Sequence, residues 1–391
     1  NPTTGAPADA QRYLRNRVYA AFVQDDWKVR PNLTLNLGLR WEYFTPLTEK
    51  RGLLSNIFYP GAGQLATAAV RPVDQLTEPD RNNFGPRFGF AWSPGLLNNK
   101  AVVRGGYGLF FNRIPSALFG NARGNPPFFA RYNICCGTAG SPLAGNQILY
   151  TFGANNSPLG FAANPALAVP IDPATGAPTG RSVEIWGAFP NTANPYSHIW
   201  SMDVQYELPA QMVFDVGYQG SAAHKLIRIV NQNFLYPNNP SFFAVYIPQP
   251  DVNSNFNALL VSLTKQYARG LQFMANYRWS KSIDTLSAEG PGAVTNQTWP
   301  QDQRTERGPS DFDVRHYFNF SAVYDLPFFK GATGVKKAAF GGWHLGGTPP
   351  PVAGERGLSM LRLERPASSA RAEDAHAPAH GRGRPSGPEL I

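Results

Sequence analysis

Residues 19–44 read YAAFVQDDWKVRPNLTLNLGLRWEYF, and the second half of this stretch alternates between apolar and polar side chains. Every second residue from Leu33 to Tyr43 is a leucine or an aromatic residue, with threonine, asparagine, glycine, arginine and glutamate between them. Because successive side chains of a β-strand point to opposite faces, this alternation predicts a strand with one apolar and one polar face. A half-buried soluble sheet and a barrel wall in lipid both produce this pattern.

The same alternation recurs along the chain as a series of hairpins. The leucine-rich strand pairs with an earlier strand through a turn at 30–32. Further hairpins are predicted over 87–111, 196–218 and 259–279, followed by a ninth strand over 315–326. Turns within hairpins are short, but the connections between them are long, covering 45–83, 112–194, 220–255 and 285–312. Outer-membrane barrels have this combination of short periplasmic turns and longer extracellular loops.

Aromatic residues cluster near the predicted strand ends, whereas leucine, valine and phenylalanine lie nearer the middle. Aromatic girdles of this kind mark both membrane interfaces of a barrel. A soluble sandwich would need two apolar sheet faces packed together and usually has short loops at both ends. The pattern therefore favours a membrane barrel over a soluble β fold. The girdle residues are Trp27, Trp41, Tyr43, Trp92, Tyr206, Tyr218, Trp279 and Tyr324.

The polar face of the predicted strands carries charges that a lipid-facing wall would not tolerate. An arginine at mid-height on the lipid side costs about 2–4 kcal/mol, whereas inside the barrel it is solvated and paired. These residues are Arg40, Glu42, Arg87, Arg104, Asp203, Asp215, Arg278 and Arg315. Two hypotheses follow: they form a structural ladder of ion pairs, or they contact a plug or a solute.

Composition excludes several classes of function. Only 16% of the residues are charged, and the 35 basic residues are scattered along the chain without a phosphate-tracking stripe, so no nucleic-acid partner is predicted. No run approaches the about 18–20 apolar residues that a membrane-spanning helix needs. Neither a zinc-hydrolase histidine motif nor a glycine-rich phosphate loop before a helix is present, so we predict neither an enzyme nor a cofactor.

Two further groups of residues are assigned structural roles. Cys135 and Cys136 are adjacent in a glycine-rich loop with no third ligand nearby, so no catalytic or metal role is predicted. Three aspartates near residue 310 offer hard oxygen ligands for calcium, but neighbouring arginines offer them ion-pair partners, which is the favoured interpretation. The aspartates are Asp302, Asp311 and Asp313.

Three stretches resemble the β-barrel region of TonB-dependent receptors, and most closely their Oar-like group. They are the quoted residues 19–44, then DRNNFGPRFGFAWSP at 80–94 with VVRGGYGLFFNR behind it, and LQFMANYRWSKSID at 271–284 with DQRTERGPSDFDVRHYFNFSAVYDLP at 302–327. The resemblance covers most of residues 11–347. It implies a receptor in the outer membrane of a Gram-negative bacterium, with a barrel of about 22 strands, an N-terminal plug and energy supplied through TonB.

The sequence departs from that family at both ends. Residues 1–391 contain neither a plug nor a TonB box, which are expected in a missing N-terminal region, and nine strands plus the start of a tenth at Trp343 are counted. We therefore predict an all-β antiparallel meander over 1–347, an incomplete barrel with two unpaired edges. Residues 348–391 contain no aromatic residue and are rich in proline, alanine, arginine and glycine, so we predict a disordered or out-of-frame tail. Its only helix signal lies at 357–365.

The function implied is energised uptake of a large, scarce solute such as a glycan or a metal chelate. Predicted ligand-binding residues are the loop aromatics Phe128, Phe129, Tyr132 and Trp186 and the inner-wall arginines Arg40, Arg104, Arg278 and Arg315. The expected partners are outer-membrane lipid and lipopolysaccharide, the unknown solute, and the TonB complex through a missing N-terminal region. The alternatives are a non-transporting surface or adhesion barrel and a soluble β-rich binding module.

Overall fold

A computed structural model describes residues 11–58, 65–95, 98–128, 183–234, 242–287, 301–327, 333, 344–348 and 360–364. The strands are β1 Leu14–Arg15, β2 Val18–Arg30, β3 Leu33–Phe44, β4 Thr48–Glu49, β5 Leu54–Phe58, β6 Ala69–Val73, β7 Asn83–Trp92, β8 Ala101–Phe111, β9 Val183–Trp186, β10 Tyr196–Leu208, β11 Met212–Asn231, β12 Phe242–Ala268, β13 Leu271–Asp284, β14 Gly308–Pro309, β15 His316–Asp325, β16 His344–Thr348 and β17 Met360–Glu364. The helices are α1 Ser116–Gly120 and the 3-10 helices Leu65–Thr67, Asn121–Gly124, Gln232–Phe234 and Gln303–Glu306.

Eleven strands form one antiparallel meander in the order β2, β3, β7, β8, β10, β11, β12, β13, β15, β16 and β17. Within the described ranges the sheet does not close, because β2 and β17 each have a single neighbour in it. The all-β class and the open barrel wall are therefore confirmed. No helix in these ranges is long and apolar enough to cross a membrane.

The strand count exceeds the predicted nine or ten. The tenth strand, β16, begins one residue after the expected Trp343, and β17 adds an eleventh. The weak helix signal at 357–365 is wrong, since Met360–Glu364 pairs with β16 as a strand. The alternating MLRLE segment fits a strand, and the edge of β16 supplies its hydrogen-bond partners. The division of the chain at residues 347 and 348 stays a prediction.

The strand register places the predicted apolar positions on one face of the sheet. Leu37 lies opposite Phe88, Phe88 opposite Tyr107, and Tyr107 opposite Trp200. Many side chains of this face are exposed, including Met202 at 53%, because no second layer among the described residues covers them. A soluble sandwich would bury this face, so its exposure fits a wall that lipid surrounds.

One rim of the sheet consists of tight turns. The β10–β11 turn holds Ala210 and Gln211, with φ of 63° and 59°, and the β12–β13 turn holds Arg269 and Gly270, with φ of 53° and 79°. Two successive residues with positive φ produce the backbone twist that matches antiparallel strands in a two-residue hairpin. These turns fix the register that brings the apolar positions onto one face.

The opposite rim carries a folded layer of loop segments. The predicted 220–255 loop is instead the extended upper part of β11 and β12, which have 20 and 27 residues. This exceeds the about 9–11 residues that a strand needs to cross a bilayer. Pro248 and Pro250, which have no N–H to donate to a strand ladder, pair with Ile229 and Ile227 of β11. The parallel β9 and the β5–β6 hairpin complete this layer.

Candidate functional site

The polar face of the sheet brings charged residues of three strands into one cross-strand row. Arg104 of β8 lies opposite Asp203 of β10, and Asp203 lies opposite Gly217 of β11. The row continues through Leu260 of β12 to Arg278 of β13. Two cations and an anion thus share one level of the wall.

A second row, one step nearer the tight turns, is uncharged except for one aspartate. It runs from Gln205 through Asp215, Ser262 and Asn276 to Asn319. Amide and hydroxyl groups both donate and accept hydrogen bonds, so this row suits a polyhydroxylated or otherwise polar surface. Together the two rows form a polar patch, defined here as the charged row plus the amide row.

Small residues and ring contacts shape the polar patch. At Gly217 an added Cβ would lie 3.4 Å from the Cβ of Asp203, so a larger side chain there would crowd this carboxylate. The guanidinium of Arg278 lies 5.2 Å from the ring centre of Tyr317, within cation–π range. The Nε of Arg278 is buried and has no hydrogen-bond partner among the described residues.

The other wall arginines lie apart from this patch. Arg40 of β3 forms an ion pair with Glu42 on the same strand, with a nitrogen–oxygen distance of 3.0 Å. Arg315 directly precedes β15, where its backbone carbonyl accepts a hydrogen bond from the Ser280 N–H at 2.9 Å. The structure therefore brings Arg104 and Arg278 into one row but leaves Arg40 and Arg315 at separate positions.

The predicted loop aromatics are distributed differently. Trp186 of β9 is 7% exposed, with its ring 4.6 Å from that of Tyr246 and its indole N–H donating to Glu184 at 2.6 Å. A ring so covered supports the loop layer and offers no open face to a solute. Phe128 follows the 3-10 helix Asn121–Gly124 and is half-buried, whereas Phe129 and Tyr132 lie outside the described residues.

Two buried asparagines, which the sequence analysis missed, hold the loop layer together. The Asn125 side chain accepts from the Trp186 N–H at 3.0 Å and donates to the carbonyls of Trp186 at 2.7 Å and Ser55 at 3.1 Å. Asn56 makes the equivalent pair of bonds with the backbone of Ala188, both at 2.9 Å. Each side-chain amide makes the hydrogen bonds that a neighbouring strand would otherwise make with these backbone groups. The partners are distant in the sequence, so only the structure reveals this role.

Electrostatic shifts in the loop layer follow from burial and hydrogen bonding. Burial raises the pKa of the Tyr246 hydroxyl, and the nearby charge of Glu184 adds to the rise. For Glu49 burial acts to raise the pKa, but three backbone N–H donors and the charge of Arg51 outweigh it and lower the pKa. Glu49 is therefore held as a carboxylate, accepting from Tyr13 at 2.8 Å and Leu53 at 3.0 Å.

A small open depression lies where the loop layer meets the upper ends of β3 and β8. Its charged lining comes from Glu78, Asp80 and Arg113, and Phe44 and Phe119 supply apolar surface. Asp80 also accepts from the backbone and side-chain N–H groups of Asn194 at 3.0 and 3.2 Å. In the described part of the chain, no cluster of histidine, cysteine and carboxylate side chains is arranged to hold a metal.

Fold and polar patch define the class of protein: a β-barrel wall with a lipid-facing and a polar side. Residues 1–349 match the family model of the outer membrane beta barrel domain, and the chain belongs to this family. The protein is thus an outer-membrane protein of a Gram-negative bacterium. The apolar face points outward to lipid, and the polar face points inward.

Solved structures of outer-membrane receptors are similar to this chain. The ferripyoverdine receptor of Pseudomonas aeruginosa is 10% identical with a TM-score of 0.44, and the match covers 90% of this chain and 32% of the receptor chain. The alcaligin receptor FauA of Bordetella pertussis is 11% identical with a TM-score of 0.42, and the match covers 90% of this chain and 40% of the FauA chain. The copper transporter OprC is 10% identical with a TM-score of 0.42, and the match covers 87% of this chain and 35% of the OprC chain. The chain thus spans roughly a third of the length of these proteins. No curated protein matches it.

Proposed function

We propose that this chain forms barrel wall and extracellular loops of a TonB-dependent receptor, which imports a large solute such as a glycan or a metal chelate. The observation that carries the proposal is the inward polar patch, whose two arginines and row of amides face the interior. A wall with purely structural duty needs its charges paired, yet the buried Nε of Arg278 has no partner among the described residues. The partners we propose are outer-membrane lipid including lipopolysaccharide, the TonB complex and the solute.

The folded loop layer supports the same proposal. Its hydrophobic clusters and the asparagine bonds give the outer rim a defined shape, as a recognition surface requires. The depression lined by Glu78, Asp80 and Arg113 lies at this rim and offers both charge signs to an arriving solute. We propose Phe128 as a secondary contact, together with Phe129 and Tyr132, which follow it closely in the sequence. Trp186 is left out of the proposed contact set.

The competing function is a non-transporting adhesion barrel, which would bind its partner through the loops alone. The inward-facing arginines distinguish the two hypotheses, since transport needs them to contact the solute, whereas in an adhesion barrel they serve only the wall. The test is growth of a strain that depends on the full-length protein for a glycan or an iron chelate. Transport predicts that Arg278→Ala slows uptake about tenfold, because it removes a charged donor from a desolvated site.

Two controls make this test decisive. Arg40→Ala removes an inward arginine that already pairs with Glu42, so a smaller decrease in uptake is expected. Uptake should also stop when TonB is deleted, because transport needs inner-membrane energy. Uptake that survives loss of TonB, or an Arg278 variant that takes up solute at the normal rate, would exclude the proposed mechanism.

A further inference from the structure

Three tyrosines of the outward face share one geometry. Each hydroxyl reaches a polar side chain on the neighbouring strand, one row nearer the loop rim. Tyrosine at a membrane interface keeps its ring in lipid and its hydroxyl among polar groups, so the three hydroxyls mark the outer edge of the hydrocarbon layer. The pairs are Tyr107 with His198 at 2.7 Å, Tyr218 with Asn257 at 2.5 Å and Tyr277 with His316 at 2.8 Å.

The tyrosines also give the tilt of the strands. The strand pairing puts Tyr107 of β8 at the same level as Gly220 of β11, which is two residues nearer the loop rim than Tyr218. In the same way, Tyr218 is at the level of Trp279 of β13, which is two residues nearer the loop rim than Tyr277. The hydroxyl level therefore drops by one residue per strand. With about 3.4 Å per residue and about 4.8 Å between strands, this corresponds to a tilt of about 35°, the value of membrane barrels. The agreement supports this level as the bilayer edge.

A cationic and aromatic cluster starts at this level and extends above it. The ring centres of His198 and His224 are 5.8 Å apart, and Tyr196 lies 5.6 Å from His198 and 5.3 Å from His224. The ammonium of Lys225 lies 5.7 Å from the centre of the Tyr196 ring. We call these four residues the rim cluster. All of them lie on the outward side of β10 and β11.

A β-bulge is what brings Lys225 into the rim cluster. In a regular strand His224 and Lys225 would point to opposite faces. The register shifts between Ala223 and Leu226, and Lys225 has a left-handed φ of 56°, which is unfavourable for a residue with a side chain. The consequence is that both side chains lie on the outward face. Bulges of this kind are a device for redirecting a side chain toward a functional site.

The depth of the rim cluster matches the polar headgroup layer. His198 lies at the level of the tyrosine hydroxyls. When the strand tilt is taken into account, His224 lies about three residues further toward the loop rim than His198, which is about 8 Å along the membrane normal. The headgroup region extends about 5–8 Å beyond the hydrocarbon on each side. Imidazole and ammonium groups on the outward face at this depth meet lipid phosphates.

The hydrogen bonds within the rim cluster decide which of its groups can bind an outside acceptor. Asn253 Oδ1 accepts from His224 Nδ1 at 3.0 Å, so His224 Nε2 donates to an acceptor only when the ring is an imidazolium. The Tyr107 hydroxyl lies 2.7 Å from His198 Nδ1, and when the hydroxyl donates there, His198 Nε2 carries the N–H that a phosphate oxygen can accept. Lys225 forms no ion pair within the described part of the chain. Asp251, further along β12, is engaged by Arg228 at 2.7 and 2.8 Å. The Lys225 ammonium is therefore a positive charge that no carboxylate of the described residues pairs with at the rim cluster.

We propose that His198, His224 and Lys225 bind a phosphate group of lipopolysaccharide in the outer leaflet. The tyrosine rings below supply the apolar contact for the adjoining acyl chains. This rests on the part of the proposed function that surrounds the barrel with lipopolysaccharide, and it does not require transport. A receptor that retained the lipid but imported nothing would refute the transport proposal alone.

The chain contains a matched control patch two strands further on. Tyr277 bonds His316 in the same way as Tyr107 bonds His198, and Lys281 lies nearby on β13. However, Lys281 is 3.7 Å from Asp313, which neutralises it, and a second histidine is missing from this patch in the described residues. It therefore presents the same geometry without the free positive charge.

The experiment uses the full-length protein, extracted from outer membranes in mild detergent, with retained lipid counted by native mass spectrometry. Wild type should retain one phosphorylated lipid. Lys225→Ala should weaken rebinding of bisphosphorylated lipid A about fivefold, which is the contribution expected of one lysine near an anionic surface. Lys225→Arg should preserve binding, and the combination of Lys225→Ala with His198→Asn and His224→Asn should reduce it to background.

Controls separate this site from general attraction. Lys281→Ala should leave lipid retention unchanged, and dephosphorylated lipid A should bind wild type as weakly as it binds the triple variant. Protease protection of the loop layer checks that each variant is folded. Equal retention by wild type and the triple variant, or equal binding of dephosphorylated lipid, would overturn the proposal. Displacement of the lipid by millimolar inorganic phosphate would assign the site to free phosphate instead.

Discussion

The barrel wall and the loop layer are built from the same two strands in opposite ways. In the wall part of β11, Tyr218 is 45% exposed, whereas further up the same strand Ile229 is 1% exposed. Lipid surrounds the apolar side chains of the wall, so the wall needs no second layer of protein to cover them. The loop layer stands in water and has to cover its apolar residues with β5, β6, β9 and α1.

The comparison has a consequence for polar groups as well. The inward wall can leave charges facing the aqueous interior, as with Arg104. The loop layer pairs buried backbone groups with its own side chains, as with Asn125 and Asn56. A substitution in the loop layer should therefore destabilise that layer alone. The effect of a substitution in the wall should depend on whether it lies on the outward or the inward face. The following predictions test that difference, from the largest effect to the smallest.

Loss of the hydrogen bonds of the Asn125 side chain should have the largest effect on stability. Asn125→Ala leaves three buried backbone groups without partners, which costs about 1–3 kcal/mol for each group, so we expect at least about 3 kcal/mol. Hydrogen exchange should rise in β9 and β5 while the wall strands stay protected. Asn36→Ala, which removes an exposed bond to Asp26, is the control with little effect. Exchange that rises equally in the wall would contradict two separately stabilised regions.

A charge placed on either face of β10 should sharpen the distinction within the wall. Val204→Arg puts a cation on the outward face and should destabilise by about 2–4 kcal/mol in lipid. Gln205→Arg puts the same cation on the inward face opposite Asp215, where little change is expected. Urea unfolding in phospholipid vesicles measures both. Similar losses for the two variants would mean that the faces are misassigned.

Removal of one methyl group should separate core from lipid contact. Ile229→Val shortens a buried residue of the loop layer and should cost about 0.5–1.5 kcal/mol. Leu39→Val, on the exposed outward face, should cost less because lipid fills the space. Local hydrogen exchange and unfolding in vesicles report the two free energies. A larger loss for Leu39→Val would show that protein packs against the outward face.

The smallest effect concerns pH. The lowered pKa of Glu49 means that its stabilising bonds are fully present above its ordinary pKa of 4.5 and are lost as the pH falls through the folded-state pKa. The protection factors of the Tyr13 and Leu53 amides, which are corrected for the intrinsic pH dependence of exchange, should therefore fall as the pH drops below 4.5. In Glu49→Gln this fall should largely disappear, and an unchanged pH profile in that variant would contradict the role given to the carboxylate.

The wall was predictable from sequence because one simple rule governs it. Alternation between Leu33 and Tyr43 gives both faces, and the placement of Arg104 and Asp203 on the inward face follows without knowing which strands pair. Their position in a common row was not predictable, since register depends on turns such as Ala210–Gln211. The resemblance to TonB-dependent receptors gave the barrel family, which is confirmed, whereas transport stays a proposal.

The loop layer was largely hidden from sequence. The upper halves of β11 and β12 bury both faces, so the period of two disappears around Ile227 and Ile229, and two prolines suggest a loop. The role of Asn125 depends on contacts 61 and 70 residues away, and Trp186 gave no local sign that it would be buried. Runs such as IRIV, apolar beyond a strict alternation, were the available signal.

The most direct test of the central claim is the accessibility of spin labels in the full-length protein, reconstituted in a bilayer. Labels at Leu37 and Phe214 should be relaxed by lipid-soluble oxygen and shielded from a water-soluble nickel chelate, and a label at Asn36 should show the reverse. Labels at Leu37 and Phe214 that are relaxed by the chelate, or shielded from both reagents, would contradict the assignment of the apolar face to lipid.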